Sequence, residues 1–295
     1  MALSIHTNYS SLVTQTNLSK TNNALSTNQQ RLGTGFRVNS AADDAAGLQI
    51  AVRLNSQSRG MEVAIRNTGD SISLLQTAEG AFNEMTDILQ RMKDLATQGA
   101  NGTNSADDLD SLQAEYDQLG EELANIMDNT SFAGEALFSK DNSAGKFAAA
   151  VDFQIGATSA ETMTLDLTAA GTDAIQTLTD ALDGMSTVYT AGSAATAGTE
   201  LTGAANATID LVKTALDAVG TLRSQFGATI NRLNHTANNL ANMKDNTDMS
   251  KGRIMDADFA QESANMSKNS MLMQSGISML KQAGQMPGMV MSLLG

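Results

Sequence analysis

Several residue types are scarce or missing in this chain of 295 residues. It has no cysteine, no tryptophan, a single proline (Pro287) and only 4% aromatic residues. Without cysteine it can form neither disulfides nor thiol-based sites. A single proline leaves long helices uninterrupted, because proline breaks helix interiors more strongly than any other residue. The low aromatic content argues against an enzyme pocket and against a surface that stacks nucleobases.

Histidine is nearly as scarce, and this restricts metal chemistry. The two histidines are His6 and His235, and neither has the HExxH spacing of a zinc metallopeptidase. Acidic pairs stand at three predicted helix starts: Asp43-Asp44, Asp107-Asp108 and Asp256-x-Asp258. Carboxylates at a helix start stabilise the positive end of the helix dipole, so these pairs do not indicate cation sites. We expect no catalytic residue, no metal and no cofactor, and the enzyme class is disfavoured.

Acidic residues are missing from both ends of the chain, although its net charge is −14 and its pI about 4.4. All 32 acidic residues lie between Asp43 and Glu262, and from Asp94 to Val212 there are 19 of them against two lysines, a net of −17. So acidic a chain is not expected to bind nucleic acid or an anionic membrane. Its acid-free ends are suited to being covered by other helices.

No targeting or membrane segment is evident in the sequence. Residues 1–32 lack a basic region followed by a continuous apolar run, which is the pattern of a cleaved signal peptide. The apolar runs are far shorter than the roughly 18 residues of a membrane span. We therefore expect no membrane insertion and, if the protein is exported, a route without a cleaved signal.

Apolar residues recur every seven positions near both ends. The N-terminal set is Ile5 and Leu12, followed by Leu18, Leu25 and Leu32 one residue out of phase. The chain between them is polar and nearly uncharged, with too little apolar area for a stable isolated helix. This segment is expected to be helical when it packs against a partner.

The C-terminal repeat predicts a second helix of the same kind. Its four residues are Phe259, Met266, Met273 and Leu280. A seven-residue repeat forms a stripe along which one other helix can pack. Because Met271, Met279 and Met286 lie on other faces, this helix needs neighbours on several sides. With Ile277, the two repeats form the predicted self-assembly surface, whose partners are the chain's own other end and further copies of the chain.

The middle of the chain carries strong helical periodicity and one stretch of strand periodicity. Spacings of three and four residues predict helices over 65–99, from Ser105 to about residue 126, and over 209–240. Residues 37–53 are expected to form a loop that leads into a short helix, with Ser40 or Asp43 as the helix cap. Alternating apolar residues predict a β-hairpin over 146–168. A short helix is expected near 175–182, within a stretch rich in Ala, Gly, Thr and Ser.

These elements predict a mainly α fold: a long antiparallel helical bundle or coiled coil formed by the N- and C-terminal halves, with a small β-hairpin and a short outer loop. Residues 1–42 and 256–295 are predicted to form a terminal coiled-coil core domain. Residues 43–170 and 204–255 are predicted to form a helical rod domain, with 171–203 as a short variable surface excursion.

Long runs of the sequence resemble the bacterial flagellins. The runs that carry the resemblance are NLSKTNNALSTNQQRLGTG, RVNSAADDAAGLQIA, QTAEGAFNEMTDILQRMKDLATQ, GATINRLNHTANNL, GRIMDADFAQE, NMSK, the closing SLL, and FQIGA in the predicted hairpin. They cover about residues 1–138 and 223–294. A hook-filament junction protein, which shares terminal helices with flagellins, is the alternative within the same structural class.

The resemblance implies a structural subunit that polymerises into the flagellar filament for motility. It implies export of the unfolded chain through the flagellar type III pathway and an extracellular location. The implied partners are other copies of the chain, an export chaperone, the filament cap and the junction proteins.

The resemblance also implies a site recognised by a host toll-like receptor. The segment LQRMKDLATQ is similar to the family's recognition segment. Residue by residue, the match covers Gln90, Arg91 and Leu95 on one predicted helix and Glu115 on the next.

Overall fold

The computed structural model describes residues 8–140, 144–168, 173–191 and 198–293. Helices account for 78% of the described residues, and the predicted mainly α fold is confirmed. The described residues form seven α-helices: α1 (Tyr9–Thr34), α2 (Ala45–Gly99), α3 (Ala106–Asn129), α4 (Ala174–Met185), α5 (Thr187–Ala191), α6 (Glu200–Met255) and α7 (Phe259–Leu293). Four strands form two antiparallel hairpins: β1 (Ser131–Phe132) with β2 (Glu135–Ala136), and β3 (Val151–Gln154) with β4 (Thr162–Leu165).

Helix α2 is one continuous helix of 55 residues, where the sequence predicted a short helix and then a long one. Its cap also differs from the prediction. The Oδ1 atom of Asp44 accepts a hydrogen bond from the backbone N–H of Gly47, so Asp44 caps the helix. Asp43 instead accepts from the backbone N–H groups of Ser40 and Asn39, and these bonds lower the pKa of its carboxyl group.

Helix α3 begins where the sequence predicted, at a complete capping box. The Ser105 hydroxyl accepts from the backbone N–H of Asp108, and the Asp108 carboxylate accepts from the backbone N–H of Ser105. The short turn after α2 makes α2 and α3 antiparallel neighbours: Arg91 pairs with Glu115, and a side chain at Gly99 would contact Leu109.

The chain folds as two compact units. The first comprises Met1–Ser58 and Asp245–Gly295, and the second comprises Arg59–Lys244. The sequence placed the division at residues 42/43 and 255/256, where the terminal helices begin and end. In the structure it falls at 58/59, inside α2, and at 244/245, inside α6, so each unit contains part of both long helices.

Four phenylalanines form a closed ring of contacts in the second unit. Phe82 lies against Phe138 and Phe226, with ring centroids 5.0 and 5.5 Å apart, and Phe147 closes the ring at 5.5 Å from Phe138 and 5.3 Å from Phe226. All four are buried, and they join α2, α6 and the segment between β2 and β3. Offset and tilted aromatic pairs at these separations stabilise a core beyond the area that they bury.

The segment predicted as a surface excursion packs into the core where it is described. The short helix expected near 175–182 exists as α4, and its apolar face is buried with the core of the second unit. Tyr189 in α5 is also fully buried, and the hydroxyl of buried Tyr116 donates to the carbonyl of Met185. The prediction of a surface excursion is therefore wrong for residues 173–191. The many small residues of this stretch suggested a loop, although α4 within it is strongly amphipathic.

The predicted hairpin is present as β3 and β4. Val151 faces Leu165 and Phe153 faces Met163, so the apolar residues of both strands share one face. Its turn approaches α2 so closely that a Cβ atom at Gly60 would lie 2.7 Å from the Cβ atom of Ala157. Glycine at this position lets the hairpin pack on the helix.

Two glycines lie inside α6, at positions 220 and 227. A Cβ atom at Gly220 or Gly227 would meet nothing within 4 Å among the described residues. Packing within the chain therefore does not require glycine there. Helix α6 is interrupted only near its start, at Ala204, which has non-helical dihedral angles.

Candidate assembly surface

Helices α1 and α7 form an antiparallel pair in the first unit. The side-chain amide of Asn8, at the start of α1, donates to the carbonyl of Ala283 near the end of α7 at 2.6 Å. At the other end of the pair, the Arg31 Nη1 atom lies 3.1 Å from the Oε1 atom of Glu262. These contacts fix the direction of the two helices and their register.

Heptad residues of both helices form the seam between them, which we call the α1/α7 seam. Six of the ten predicted assembly residues are half-buried along it: Leu18, Leu25, Leu32, Met266, Met273 and Leu280. The Cδ1 atom of Leu18 would lie 3.2 Å from a Cβ atom at Gly276, so the helices approach closely at the middle of the seam. The two repeats identified from the sequence therefore pack against each other within one chain.

A few polar residues interrupt the apolar seam. Asn28 is buried, and in the amide orientation that satisfies its hydrogen bonds it accepts from the backbone N–H of Met266 and from the side chain of Asn269. Glu262 is buried beside Arg31, whose charge compensates it. Polar groups in an apolar seam disfavour other registers, because a shift would leave them buried without partners.

A short crossing of two chain segments joins this pair to the long helices of the same unit. Gly35 ends α1 in the left-handed conformation (φ 76°), and its N–H donates to the carbonyl of Arg31. The N–H of Arg37 donates to the carbonyl of Met255, and the N–H of Ala257 donates to the carbonyl of Gly35. Asp258 caps α7, as the sequence predicted, by accepting from the next two backbone N–H groups that follow Phe259.

Apolar side chains away from the seam are exposed. On α1 they form the α1 outer patch: Tyr9, Leu12 and Val13. On α7 they form the α7 outer patch: Met271, Leu272 and Met279. Met271 is 66% exposed and Met279 59%, so more than half of each side chain is open to solvent.

The remaining predicted assembly residues fall into two groups. Leu12, Phe259 and Ile277 are exposed, and Ile5 lies outside the described residues. The predicted set did not include Tyr9, Val13 or Leu272. The sequence did contain a signal for these three residues. A helix that is covered on one side only should carry polar residues on its other side, whereas Tyr9, Val13 and Leu272 are apolar.

The four residues of the predicted receptor site do not share one surface. Arg91 and Glu115 are exposed and form an ion pair in which Nη2 and Nε of Arg91 donate to one carboxylate oxygen at 2.6 and 2.8 Å. Gln90 is exposed beside them. Leu95 is 1% exposed and belongs to the core, so it cannot contact a partner of the folded chain directly.

Neither a metal cluster nor a membrane span is found in the described part of the chain. Over residues 8–140, 144–168, 173–191 and 198–293, no three His, Cys, Asp or Glu side chains are grouped so as to hold a metal ion. No helix in these ranges has the length and hydropathy needed to cross a bilayer.

The similarity of this chain to known proteins extends over its whole length. The family described as "Bacterial flagellin N-terminal helical region" matches residues 5–143, and "Bacterial flagellin C-terminal helical region" matches residues 209–294. The chain is 37% identical to Flagellin A of Vibrio anguillarum and 35% identical to Flagellin A of Vibrio cholerae, with 100% of both chains covered in each alignment. The first alignment spans 385 positions, so that relative carries residues that this shorter chain lacks.

One solved structure supports the fold alone. It is described as a flagellar hook-associated protein from Vibrio parahaemolyticus, and it is similar with a TM-score of 0.54 at 16% identity, over 72% of this chain and 100% of that one. The fold defines the class: an α-helical protein whose N-terminal and C-terminal helices pack against each other. With both family regions matched, the chain belongs to the bacterial flagellin family.

The family establishes the broad function. Its members are structural subunits of the flagellar filament, which lies outside the cell, and this chain is such a subunit. The prediction made from the sequence is confirmed in this respect, and the junction protein is not favoured.

Proposed function

We propose that the chain polymerises through the outer faces of its terminal helices, with the α1 and α7 outer patches as contact surfaces between copies. The exposed apolar residues of these patches are the observation that carries the proposal. Exposed apolar area of this kind marks a protein interaction site. The seam covers one face of each helix, so the patches need a neighbour that the described part of the chain does not supply.

The charge of the terminal helices supports a second copy as that neighbour. After Glu262 the chain contains no acidic residue, and before Asp43 it contains none either. Identical helices can pack together without like-charge repulsion when they carry few charges, whereas a segment with a net of −17 could not be buried against its own copies at low cost. The ends are accordingly suited to the inside of an assembly and the acidic middle to its surface.

Further partners of this subunit are proposed from the exposed apolar residues of its terminal helices. Before assembly, exposed apolar helices need protection, which is the role of an export chaperone, and the filament cap and junction proteins meet the same surfaces at the filament's two ends. Export of the unfolded chain through the type III pathway fits a protein with no disulfide to form.

The proposed contacts of the toll-like receptor are Gln90, Arg91 and Glu115. Leu95 contributes only indirectly, by packing α2 against the core. The ion pair of Arg91 holds its guanidinium at the surface beside Glu115. Binding of the purified chain to the receptor's extracellular domain tests this proposal, and an undetectable affinity would reject it.

Deletion of residues 270–295 tests the proposed mode of polymerisation. The truncated chain loses the α7 outer patch and the C-terminal half of the seam, but it keeps every residue of the second unit. We expect no filaments under electron microscopy, while circular dichroism retains the helical signal and the cooperative melting of the second unit. The intact chain, which should form long filaments under the same conditions, is the control. Filaments formed by the truncated chain would contradict the proposal.

A further inference from the structure

Two thioethers are the most exposed apolar groups of the α7 outer patch. Met271 and Met279 are 66% and 59% exposed, whereas Met61, Met85 and Met92 in the second unit are at most 1% exposed. The sulfur atoms of the first two are therefore open to solutes before assembly. The methionines of the core are not.

Exposed methionine has one characteristic reaction, oxidation by a hydroperoxide. The sulfur lone pair attacks one peroxide oxygen, the O–O bond breaks, and that oxygen becomes the sulfoxide oxygen while the other leaves as water or an alcohol. The sulfur loses two electrons and the peroxide gains them. The product is a polar side chain in place of a flexible apolar one, and methionine sulfoxide reductases reverse the reaction.

We propose that Met271 and Met279 form an oxidation site that controls assembly: their sulfoxides block polymerisation of free subunits, and neighbouring copies in the filament protect both sulfurs from oxidation. The inference rests on the proposed function, since it requires that the α7 outer patch be covered by another copy. A sulfoxide oxygen buried in an apolar contact without a donor disfavours that contact.

The position of the two residues on α7 makes the effect specific to the contact between copies. Met266 and Met273, on the same helix, are half-buried in the seam against α1. Met271 and Met279 face away from Met266 and Met273, and more than half of each side chain is exposed. Oxidation of the outer pair therefore changes the patch and leaves the seam intact.

Seeded polymerisation of the full-length chain, followed by sedimentation, tests the proposal. Free subunits are treated with hydrogen peroxide until mass spectrometry of peptides shows sulfoxide at Met271 and Met279, and each protein is compared with its own untreated sample. We expect the critical concentration of the wild type to rise about tenfold or more. Treatment with methionine sulfoxide reductases should restore it.

Two variants identify the residues responsible. The critical concentration of M271L/M279L should change less than about twofold on oxidation. The matched control is Met249→Leu, because Met249 is 55% exposed but lies on α6, and this variant should remain as sensitive as the wild type. Peroxide added to finished filaments should leave Met271 and Met279 unoxidised.

The outcomes separate this inference from the proposed function. Normal polymerisation of wild-type chain that carries both sulfoxides would overturn the inference, as would equal sensitivity of M271L/M279L, while the proposed function would stand. Rapid oxidation of both residues within filaments would contradict the proposed protection by neighbouring copies, because it would show that the patch is uncovered in the filament. Failure of the untreated chain to polymerise would overturn both.

Discussion

At the scale of single residues, the ion pair between Arg31 and Glu262 has the clearest role. It is a charged contact at one end of an otherwise apolar seam, and the Glu262 carboxylate is buried there. An apolar heptad alone allows several registers, because a shift by one heptad keeps leucine against methionine. The buried charge does not allow such a shift, since only the observed register gives it a cation.

Charge exchange at this pair tests its role in register. Arg31→Glu should raise the critical concentration for polymerisation about tenfold or more, because it places two carboxylates together in a partly buried site. Glu262→Arg should do the same with two guanidinium groups. The double variant R31E/E262R should recover most of the loss, as measured by sedimentation of filaments. If the double variant is as poor as the worse single variant, the pair does not act as a unit.

The four-phenylalanine ring shows what residue patterns do not predict. The periodicity of α2 and α6 placed Phe82 and Phe226 on the buried faces of their helices. Nothing in the sequence indicated that Phe138 and Phe147, from the segment after α3, would close the ring between them. Contacts between distant segments depend on the path of the connecting loops, which periodicity does not describe.

At the scale of elements, the capped starts of α3 and α7 were predicted from the sequence, whereas the extents of α2 and α6 were not. Ser105 and Asp258 cap α3 and α7 as predicted, because a capping residue acts on backbone groups only two or three positions away. The sequence did not predict that the short helix would be continuous with the long helix that follows it. The small and polar residues of that part of α2 weaken its periodicity without breaking the helix.

The capping box of α3 predicts both a stability change and its dependence on pH. Ser105→Ala removes the side chain that accepts from the N–H of Asp108 and should destabilise the second unit by about 1 kcal/mol in urea unfolding. Ser111→Ala is the matched control, since this hydroxyl bonds only to the carbonyl one turn earlier and its loss should be nearly neutral.

The pH dependence follows from the lowered pKa of the Asp108 carboxyl, whose first cause is the hydrogen bond from the Ser105 hydroxyl. Because the folded-state pKa lies below the unfolded one, the contribution is present above the unfolded pKa of an aspartate, about 3.9, and is lost as the pH falls through the lower folded value. The difference in stability between wild type and S105A should therefore shrink below about pH 4. A difference that grows in acid would contradict this assignment.

At the scale of the whole molecule, the sequence predicted the general organisation and misplaced some of its parts. Heptads at both ends correctly indicated helices that need partners, because seven-residue spacing is a property of one helix and can be read locally. The sequence also named the chain's own other end as one partner, and α1 does pack against α7. It did not give the register of the pair, in which Leu18 lies against Gly276.

The candidate surface was predicted to a similar extent. Leu12, Phe259 and Ile277 were assigned to it and are exposed, whereas Leu95 was assigned to the receptor site and is buried. The difference is physical: a helical stripe predicts which residues share a face, but which face remains uncovered depends on everything that packs against the helix.

Substitution of Leu272 tests most directly the central claim, that the outer face of α7 is a contact surface between copies. Leu272→Glu places a charge in the α7 outer patch, at a position outside the seven-residue repeat of the seam, and Thr177→Glu places the same charge at an exposed position on α4. Sedimentation of seeded filaments should show that the first variant fails to polymerise, since burying an unpaired carboxylate between copies is strongly unfavourable. The second should polymerise like the wild type. Filaments of Leu272→Glu in normal yield would contradict the claim.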